Sequence, residues 1–138
     1  MVTRAVKSKG IQLQSSNGAS PDVFETIAEV KSCDGPSMSL PTDDATSFDS
    51  EWAEVIPGVP DGGEISLGMI FVPGAGGQIR LQEDLQNATL RAYRLVYPDA
   101  SSSKIEFSAY VTAFSRAASN PNAKVEATAT LRISGAVS

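Results

Sequence analysis

The sequence predicts a mainly β protein, a β-sandwich or barrel with one short flanking α-helix. About seven segments alternate apolar and polar residues, which is the pattern of strands that bury one face. Clusters of Gly, Pro, Asn, Asp and Ser separate these segments and predict turns. Only residues 78–88 repeat apolar side chains at helical spacing. Many short strands divided by turns, with a single helix, are typical of sandwiches and barrels.

The first two strands are predicted to form a hairpin. Residues 10–14 and 24–33 both alternate, and the turn-rich segment 15–22 separates them. Cys33 lies in the second alternating run, and no His or basic neighbour is placed to lower its pKa. We therefore predict that Cys33 is a small buried hydrophobic residue rather than a reactive thiol.

The second half of the chain gives the clearest strands. Residues 64–72, 90–97, 105–113 and 125–133 are predicted strands, and 78–88 is the predicted helix. In the last strand Val125, Ala127, Ala129, Leu131 and Ile133 are expected to face inward. In the strand before it, the predicted inward residues are Ile105, Phe107, Ala109, Val111 and Ala113.

A long acidic loop over residues 34–54 is predicted to carry the function, by binding another copy of the protein. No Lys or Arg occurs between Lys31 and Arg80, and so long a connection in a small domain usually has a role of its own. Trp52 is expected to pack back onto its own domain, whereas Phe48 fits that role and a partner's pocket equally well. The loop is expected to end in a tight reversal over residues 57–63, whose turn residues are Pro57, Gly58, Asp61 and Gly63.

Composition excludes several classes of function. The 138 residues predict a single domain over 1–138, and the net charge of −5 argues against a protein that holds nucleic acid through Lys and Arg. The absence of His and the presence of one Cys exclude intrachain disulfides, the usual zinc sites and catalysis by imidazole. The acidic residues lack EF-hand spacing, and residues 73–78 do not match a phosphate-binding glycine loop. We predict no enzyme activity, cofactor or metal.

The N-terminal residues 1–8 predict a polar basic arm. Arg4 and Lys7 lie within it and Lys9 follows directly, and no apolar segment typical of a secretory signal is present. The longest apolar run, residues 67–72, is too short to cross a bilayer, so no membrane role is predicted. Arg4, Lys7 and Lys9 are candidates to meet the acidic loop of another copy. Two independently solvated charged segments explain the same pattern equally well.

Five stretches in this order resemble the tail tube (major tail) proteins of long-tailed bacteriophages, the siphophages typified by lambda. They are KGIQLQ, VFETIAEVKSCDGPS, WAEVIPGVPDGGEISLGMIF, IEFSAYVTAFS and KVEATATLRISGAV, and together they cover nearly the whole chain. The family's Asp-x-Thr element in the long loop is matched only loosely, at residues 44–46.

The resemblance implies a structural virion protein that is made in the host bacterial cytoplasm. Six copies would form a ring, and rings would stack into a tube that conducts DNA during ejection without binding it specifically. The other implied partners are a tail tip or initiator, a tape measure protein and a tail terminator. The implied contact residues of the long loop are Asp34, Gly35, Pro36, Asp43, Asp44, Phe48, Asp49, Glu51 and Trp52. Candidates for the lumen are Glu64, Ser66, Glu106, Ser108, Glu126 and Thr128, since a negative lumen repels phosphates.

Two other functions fit the same fold class. One is an immunoglobulin-like adhesion or carbohydrate-binding module, which would work without polymerising. The other is the tube protein of a related secretion system, which would also form rings. Polymerisation into tubes separates the first alternative from the tail tube prediction.

Overall fold

The computed structural model describes residues 9–16, 23–99, 101 and 103–138, which form nine strands and one helix. The strands are β1 (Gln12–Ser16), β2 (Phe24–Thr26), β3 (Val30–Asp34), β4 (Thr42–Asp44), β5 (Val55–Pro57), β6 (Glu64–Ile70), β7 (Arg91–Val96), β8 (Lys104–Ala117) and β9 (Glu126–Ile133). The helix α1 covers Gly76–Asn87. The mainly β prediction with one helix is confirmed.

Seven strands form one antiparallel sheet in the order β2-β1-β7-β8-β9-β6-β3. The long strand β8 connects its two halves, because residues 104–109 pair with β7 and residues 109–117 pair with β9. Strands β4 and β5 pair only with each other, in a separate two-stranded sheet.

The sheet must curl, because its two edge strands are neighbours in sequence. Only Ile27, Ala28 and Glu29 separate β2 at one edge from β3 at the other. A flat sheet of seven strands would separate its edges by about 29 Å, at about 4.8 Å per strand spacing. A connection of three residues spans at most about 14 Å. The sheet therefore closes toward its own edges, as predicted for a sandwich or barrel.

The core lies on the inner face of this curled sheet. Alternate residues of β6 and β9 are buried, including Leu67, Met69, Ala129 and Leu131. The inward residues predicted for the last strand are confirmed from Ala127 to Ile133, with Val125 half-buried at its start. Among the larger core side chains, Tyr93 stacks on Phe107 with ring centroids 5.9 Å apart.

Helix α1 begins two residues before the predicted start and ends at Asn87, one residue before the predicted end. Its buried Gln78 accepts a hydrogen bond from Val72 N–H at 2.9 Å and donates to the carbonyls of Ala28 and Ile70. At its last turn the buried Asp84 accepts two hydrogen bonds from Arg91, at 2.6 and 2.8 Å, which raise the pKa of the Arg91 guanidinium. The helix is therefore joined to the sheet by polar contacts as well as by Leu81.

Two strand predictions need correction. The alternating run 24–33 is not one strand, because Glu29 has a φ of 58° and the chain crosses there from β2 to β3. The predicted hairpin is formed by β1 and β2 alone. In β8 a register shift between Val111 and Ala113 changes the alternation, so Ala113 is exposed and Phe114 packs against the core.

Cys33 is half-buried and packs against the core, although the prediction was a buried residue. Burial, and secondly the negative charge of Asp34, raise the pKa of the Cys33 thiol to about 11. A thiol with this pKa is protonated near neutral pH, which agrees with a packing role.

Candidate functional site: a projecting ribbon

The predicted loop is an ordered, two-stranded ribbon, which we define as residues 39–61. Ser39 and Asp61 exchange backbone hydrogen bonds of 2.8 and 2.9 Å, Gly58 N–H donates to Pro41 at 2.7 Å, and β4 pairs with β5 beyond them. Since β3 and β6 lead into its two arms, the ribbon continues their antiparallel pairing away from the sheet. The loop boundary predicted at residue 54 is therefore wrong, because β5 belongs to the ribbon.

The prediction of a tight reversal at residues 57–63 is also wrong. Pro57, Gly58 and Asp61 run along the ribbon, opposite Thr42, Pro41 and Ser39. Only the last part bends, where Asp61 Oδ1 accepts a hydrogen bond from Gly63 N–H at 2.9 Å. Gly63 has a φ of +78°, and a Cβ there would lie 2.0 Å from the Ser37 carbonyl oxygen. A glycine is therefore required where the ribbon joins the sheet.

The ribbon exposes apolar side chains that no described part of its own chain covers. Every residue from 37 to 60 is exposed except Ser50, which is half-buried. Trp52 retains 83% of its accessible surface, so the expectation that it packs back onto its own domain is wrong. Phe48 is fully exposed at the same tip. The other large apolar side chains that the ribbon and its approach expose are Met38, Leu40, Val55, Ile56 and Val59.

A polar network holds the ribbon tip. Thr46 N–H donates to Asp44 Oδ1 at 2.9 Å, and Thr46 Oγ1 accepts from Glu54 N–H at 2.8 Å. The bonds from Thr46 lower the pKa of the Asp44 carboxyl. Ser50 links Ser47 to the Glu54 carboxylate. Phe48 and Trp52 are thus presented on a hydrogen-bonded turn.

The base of the ribbon forms an open apolar groove of about 970 Å³ with the C-terminal segment. Leu40 and Val59 line it from the ribbon, Met38 lines it from the segment just before the ribbon, and Ile133 and Val137 line it from the C-terminal segment. An ion pair of 2.8 Å between Arg132 and Asp61 joins the base of the ribbon to β9 and lowers the pKa of the Asp61 carboxyl.

The ribbon also carries the chain's charge imbalance. The ribbon holds six carboxylates and no cation, and one of them, Asp61, pairs with Arg132. None of the other five makes an ion pair with any residue that the structure describes. They are Asp43, Asp44, Asp49, Glu51 and Glu54.

Of the other predicted contact residues, three lie where the chain leaves the sheet for the ribbon. Asp34 ends β3 opposite Ser66, and Gly35 and Pro36 lead from it toward the ribbon. Lys9 is exposed beside Gly10. Arg4 and Lys7, with the rest of the predicted arm, lie outside the described residues.

The predicted lumen residues share the outer face of the sheet, opposite the core, but they form two groups. Glu64, Ser66, Glu126 and Thr128 lie on β6 and β9, whereas Glu106 and Ser108 lie on the part of β8 that pairs with β7. Glu126 pairs with Lys31 at 2.5 Å, which lowers its pKa, and Glu106 pairs with Arg94 at 3.0 Å.

No metal-binding cluster of His, Cys, Asp or Glu occurs among the described residues. In the same part of the chain, no helix is long and apolar enough to cross a membrane.

A strongly curled sheet with a projecting apolar ribbon matches proteins of known architecture. Residues 8–138 match the family model of the lambda phage tail tube protein, TTP. The chain belongs to this family. It is therefore a structural tail tube protein, a component of the phage tail and hence of the virion, and not an enzyme. This assignment sets aside the alternative of an adhesion module. A search of curated protein sequences found no significant match to the chain.

Solved structures share the fold at low sequence identity. A chain in the tail of an empty gene transfer agent particle, refined with C6 symmetry, superposes with a TM-score of 0.78 at 21% identity, over 97% of this chain and 98% of that chain. The SPP1 tail tube protein gives a TM-score of 0.72 at 12% identity, over 95% and 77%. A chain of the sheath–tube complex of an extracellular contractile injection system, PVC, gives 0.74 at 14% identity, over 99% and 91%.

Sequence reasoning named Phe48 and Trp52 but missed the exposed apolar residues of the ribbon's second arm. Val55, Ile56 and Val59 lie among prolines and glycines, a pattern that indicates a turn. The available signal was that an apolar run beside an acidic segment had no partner strand in the predicted core.

Proposed function

We propose that six copies of this tail tube protein form a ring, and that the ribbon joins each ring to the next to build a hollow tube for DNA. The observation that carries this proposal is the exposed apolar surface of the ribbon. Burial of one such side chain contributes about 1.5–3 kcal/mol. Soluble proteins rarely leave a contiguous patch of this kind uncovered unless it is an interface.

The symmetry of a structure with the same fold supports six copies in each ring. The gene transfer agent tail was refined with C6 symmetry, and its chain shares this fold. Heterologous contacts around a closed ring leave each ribbon free to contact a neighbouring ring. Joining sheets around a ring also protects strand edges that have no partner strand among the described residues, such as the outer edges of β2 and β3.

The lumen in this proposal is lined by the outer face of the sheet. The exposed polar residues Glu64, Ser66 and Thr128 suit a wall along which DNA slides. Because Glu106 and Glu126 are paired with cations, the wall would be less negative than a count of its carboxylates suggests. A tail tip complex, a tape measure protein and a tail terminator complete the proposed assembly.

The test is negative-stain electron microscopy of the purified protein over a concentration series, with a sizing column beside it. The wild-type protein should form hollow stacked rings or tubes, with tail tip complexes added as an initiator if it remains monomeric. A Phe48→Ser, Trp52→Ser double variant should stay folded but lose stacking, because it removes the apolar tip and leaves the core intact.

The matched control is Leu90→Ser. Leu90 is an exposed apolar residue outside the ribbon, so its replacement should leave the tubes unchanged. Normal tubes from the tip double variant would contradict the role of the ribbon. A wild-type protein that stays monomeric even with tail tip complexes would contradict the proposed assembly.

A further inference from the structure

The ribbon and a group of cations lie at opposite ends of the sheet. The ribbon leaves at the start of β6, beside Glu64, and β6 then runs about 20 Å to Ile70 at the other end. That other end carries the turn between β8 and β9, residues 118–125, because Ala117 pairs with Glu126. Lys31, Arg116 and Lys124 lie at this end, and we call these three cations the basic rim.

Two members of the basic rim are incompletely neutralised. Glu126 pairs with Lys31 at 2.5 Å, so its 3.9 Å contact with Lys124 is the weaker one, and the Lys124 side chain is 58% exposed. Arg116 forms no ion pair with any described carboxylate. It contacts Gln82 of α1 instead.

Arg116 also forms part of an aromatic surface. Its guanidinium carbon lies 5.0 Å from the centre of the Phe71 ring and 5.2 Å from that of Phe114. Both rings are only half-buried. The rim thus offers cationic and apolar contacts side by side, as the ribbon tip offers carboxylates beside Phe48 and Trp52.

We propose that the basic rim of one copy is the receiving surface for the acidic ribbon tip of a copy in the adjacent ring. Charge complementarity supports this occupant: the ribbon tip carries carboxylates and no cation, while in the rim Arg116 makes no ion pair with a described carboxylate and Lys124 has only the 3.9 Å contact with Glu126. The proposal rests on the stacking function above and adds the partner surface to it. Since ribbon and rim lie at opposite ends, one copy does not satisfy its own ribbon, and head-to-tail stacking acquires a direction.

The test compares two lysines with similar surroundings. Lys124 and Lys104 are both exposed, and each lies 3.7–3.9 Å from one glutamate. Lys104 is at the start of β8, away from the rim. At low salt, Lys124→Glu should raise the protein concentration needed for tube formation by about tenfold, which corresponds to about 1.4 kcal/mol. Lys104→Glu should leave it unchanged within about twofold.

Charge reversal on the ribbon provides a second test of the same contact. Combining Lys124→Glu with Asp49→Lys and Glu51→Lys should restore tubes if the two surfaces meet, whereas the ribbon reversal alone should weaken them. If Lys124→Glu impairs folding, which circular dichroism would show, Arg116→Gln tests the same surface without a charge reversal. Like Lys124→Glu, it should raise the protein concentration needed for tube formation.

A disulfide test locates the contact directly. In a Cys33→Ser background, Asp49→Cys and Ser119→Cys proteins are mixed and oxidised, and heterodimers should form within tubes. If tubes depend on Phe48 and Trp52 but tolerate Lys124→Glu and give no such cross-link, the rim inference fails while the stacking proposal stands. If no tubes form from the wild-type protein with tail tip complexes, the stacking proposal itself fails.

Discussion

Strands β3 and β6 of the sheet continue into the two arms of the ribbon, yet the sheet and the ribbon place apolar residues in opposite environments. In β6, alternate residues such as Ile65 and Leu67 are fully buried under the curled sheet. In the ribbon, Val55 and Ile56 point to opposite faces and both are more than half exposed. The sheet therefore completes its burial within one chain, whereas the ribbon requires another molecule to do so.

This difference separates stability from assembly. Residues of the sheet stabilise the monomer, because the core is made there. Residues of the ribbon contribute little to the monomer, since they contact little of it, and their apolar surface is available for binding energy. Substitutions in the two regions should therefore change different measurements.

The largest expected effect on stability comes from the core. Leu131→Ala removes a fully buried side chain from β9 and should lower the free energy of unfolding by about 2–5 kcal/mol. Ile56→Ala in the ribbon is the control and should change it by less than about 0.5 kcal/mol. Urea denaturation followed by circular dichroism measures both. Equal losses from the two variants would show that the ribbon packs against the body in solution.

An intermediate effect is expected at Gly63, where the two regions join. Gly63→Ala forces a Cβ toward the Ser37 carbonyl at a positive φ, which costs about 1–3 kcal/mol. The cost should appear first as faster amide hydrogen exchange at Ser39 and Asp61, whose mutual bonds lie next to this turn. Gly74→Ala is the matched control, because Gly74 also has a positive φ but no described atom lies within 4 Å of the position that a Cβ would take there. Equal exchange rates at the bridge in both variants would contradict a specific role for the close approach.

The sheet was largely predictable because its physics is local and periodic. Alternation placed β6, β7 and β9, and helical spacing placed α1, each with small errors at the ends. Errors arose where tertiary structure changes the period without a sequence signal. The register shift at Thr112 in β8 and the left-handed Glu29 between β2 and β3 are such positions.

The acidic charge of the ribbon located it in the sequence, but its two-stranded structure was not predicted. Acidic residues and prolines predicted a functional loop, and the resemblance supplied its role. The pairing of β4 with β5 was missed because each strand has three residues, too few to show a period. The basic rim was missed for a different reason: Lys31 is distant in sequence from Arg116 and Lys124, and it joins them only because β3, β8 and β9 share one end of the sheet.

The smallest effect concerns pH at the ribbon base. The hydrogen bond from Arg132 lowers the folded-state pKa of Asp61 below its ordinary value of 3.8. Asp61 therefore contributes stability that is complete above its unfolded pKa and is lost as pH falls through the lower folded value. Because the pair is exposed, global unfolding should change little, and the local measurement is hydrogen exchange at the Ser39–Asp61 bridge, corrected for the intrinsic pH dependence of exchange.

Acidification should increase opening of the Ser39–Asp61 bridge in the wild type, while in Asp61→Asn the bridge should open more at neutral pH and respond less to acid. The control is Asp43→Asn, which removes a ribbon carboxylate that makes no ion pair with described residues and should retain the wild-type response to acid. A wild-type response in Asp61→Asn would show that the ion pair does not hold the ribbon base.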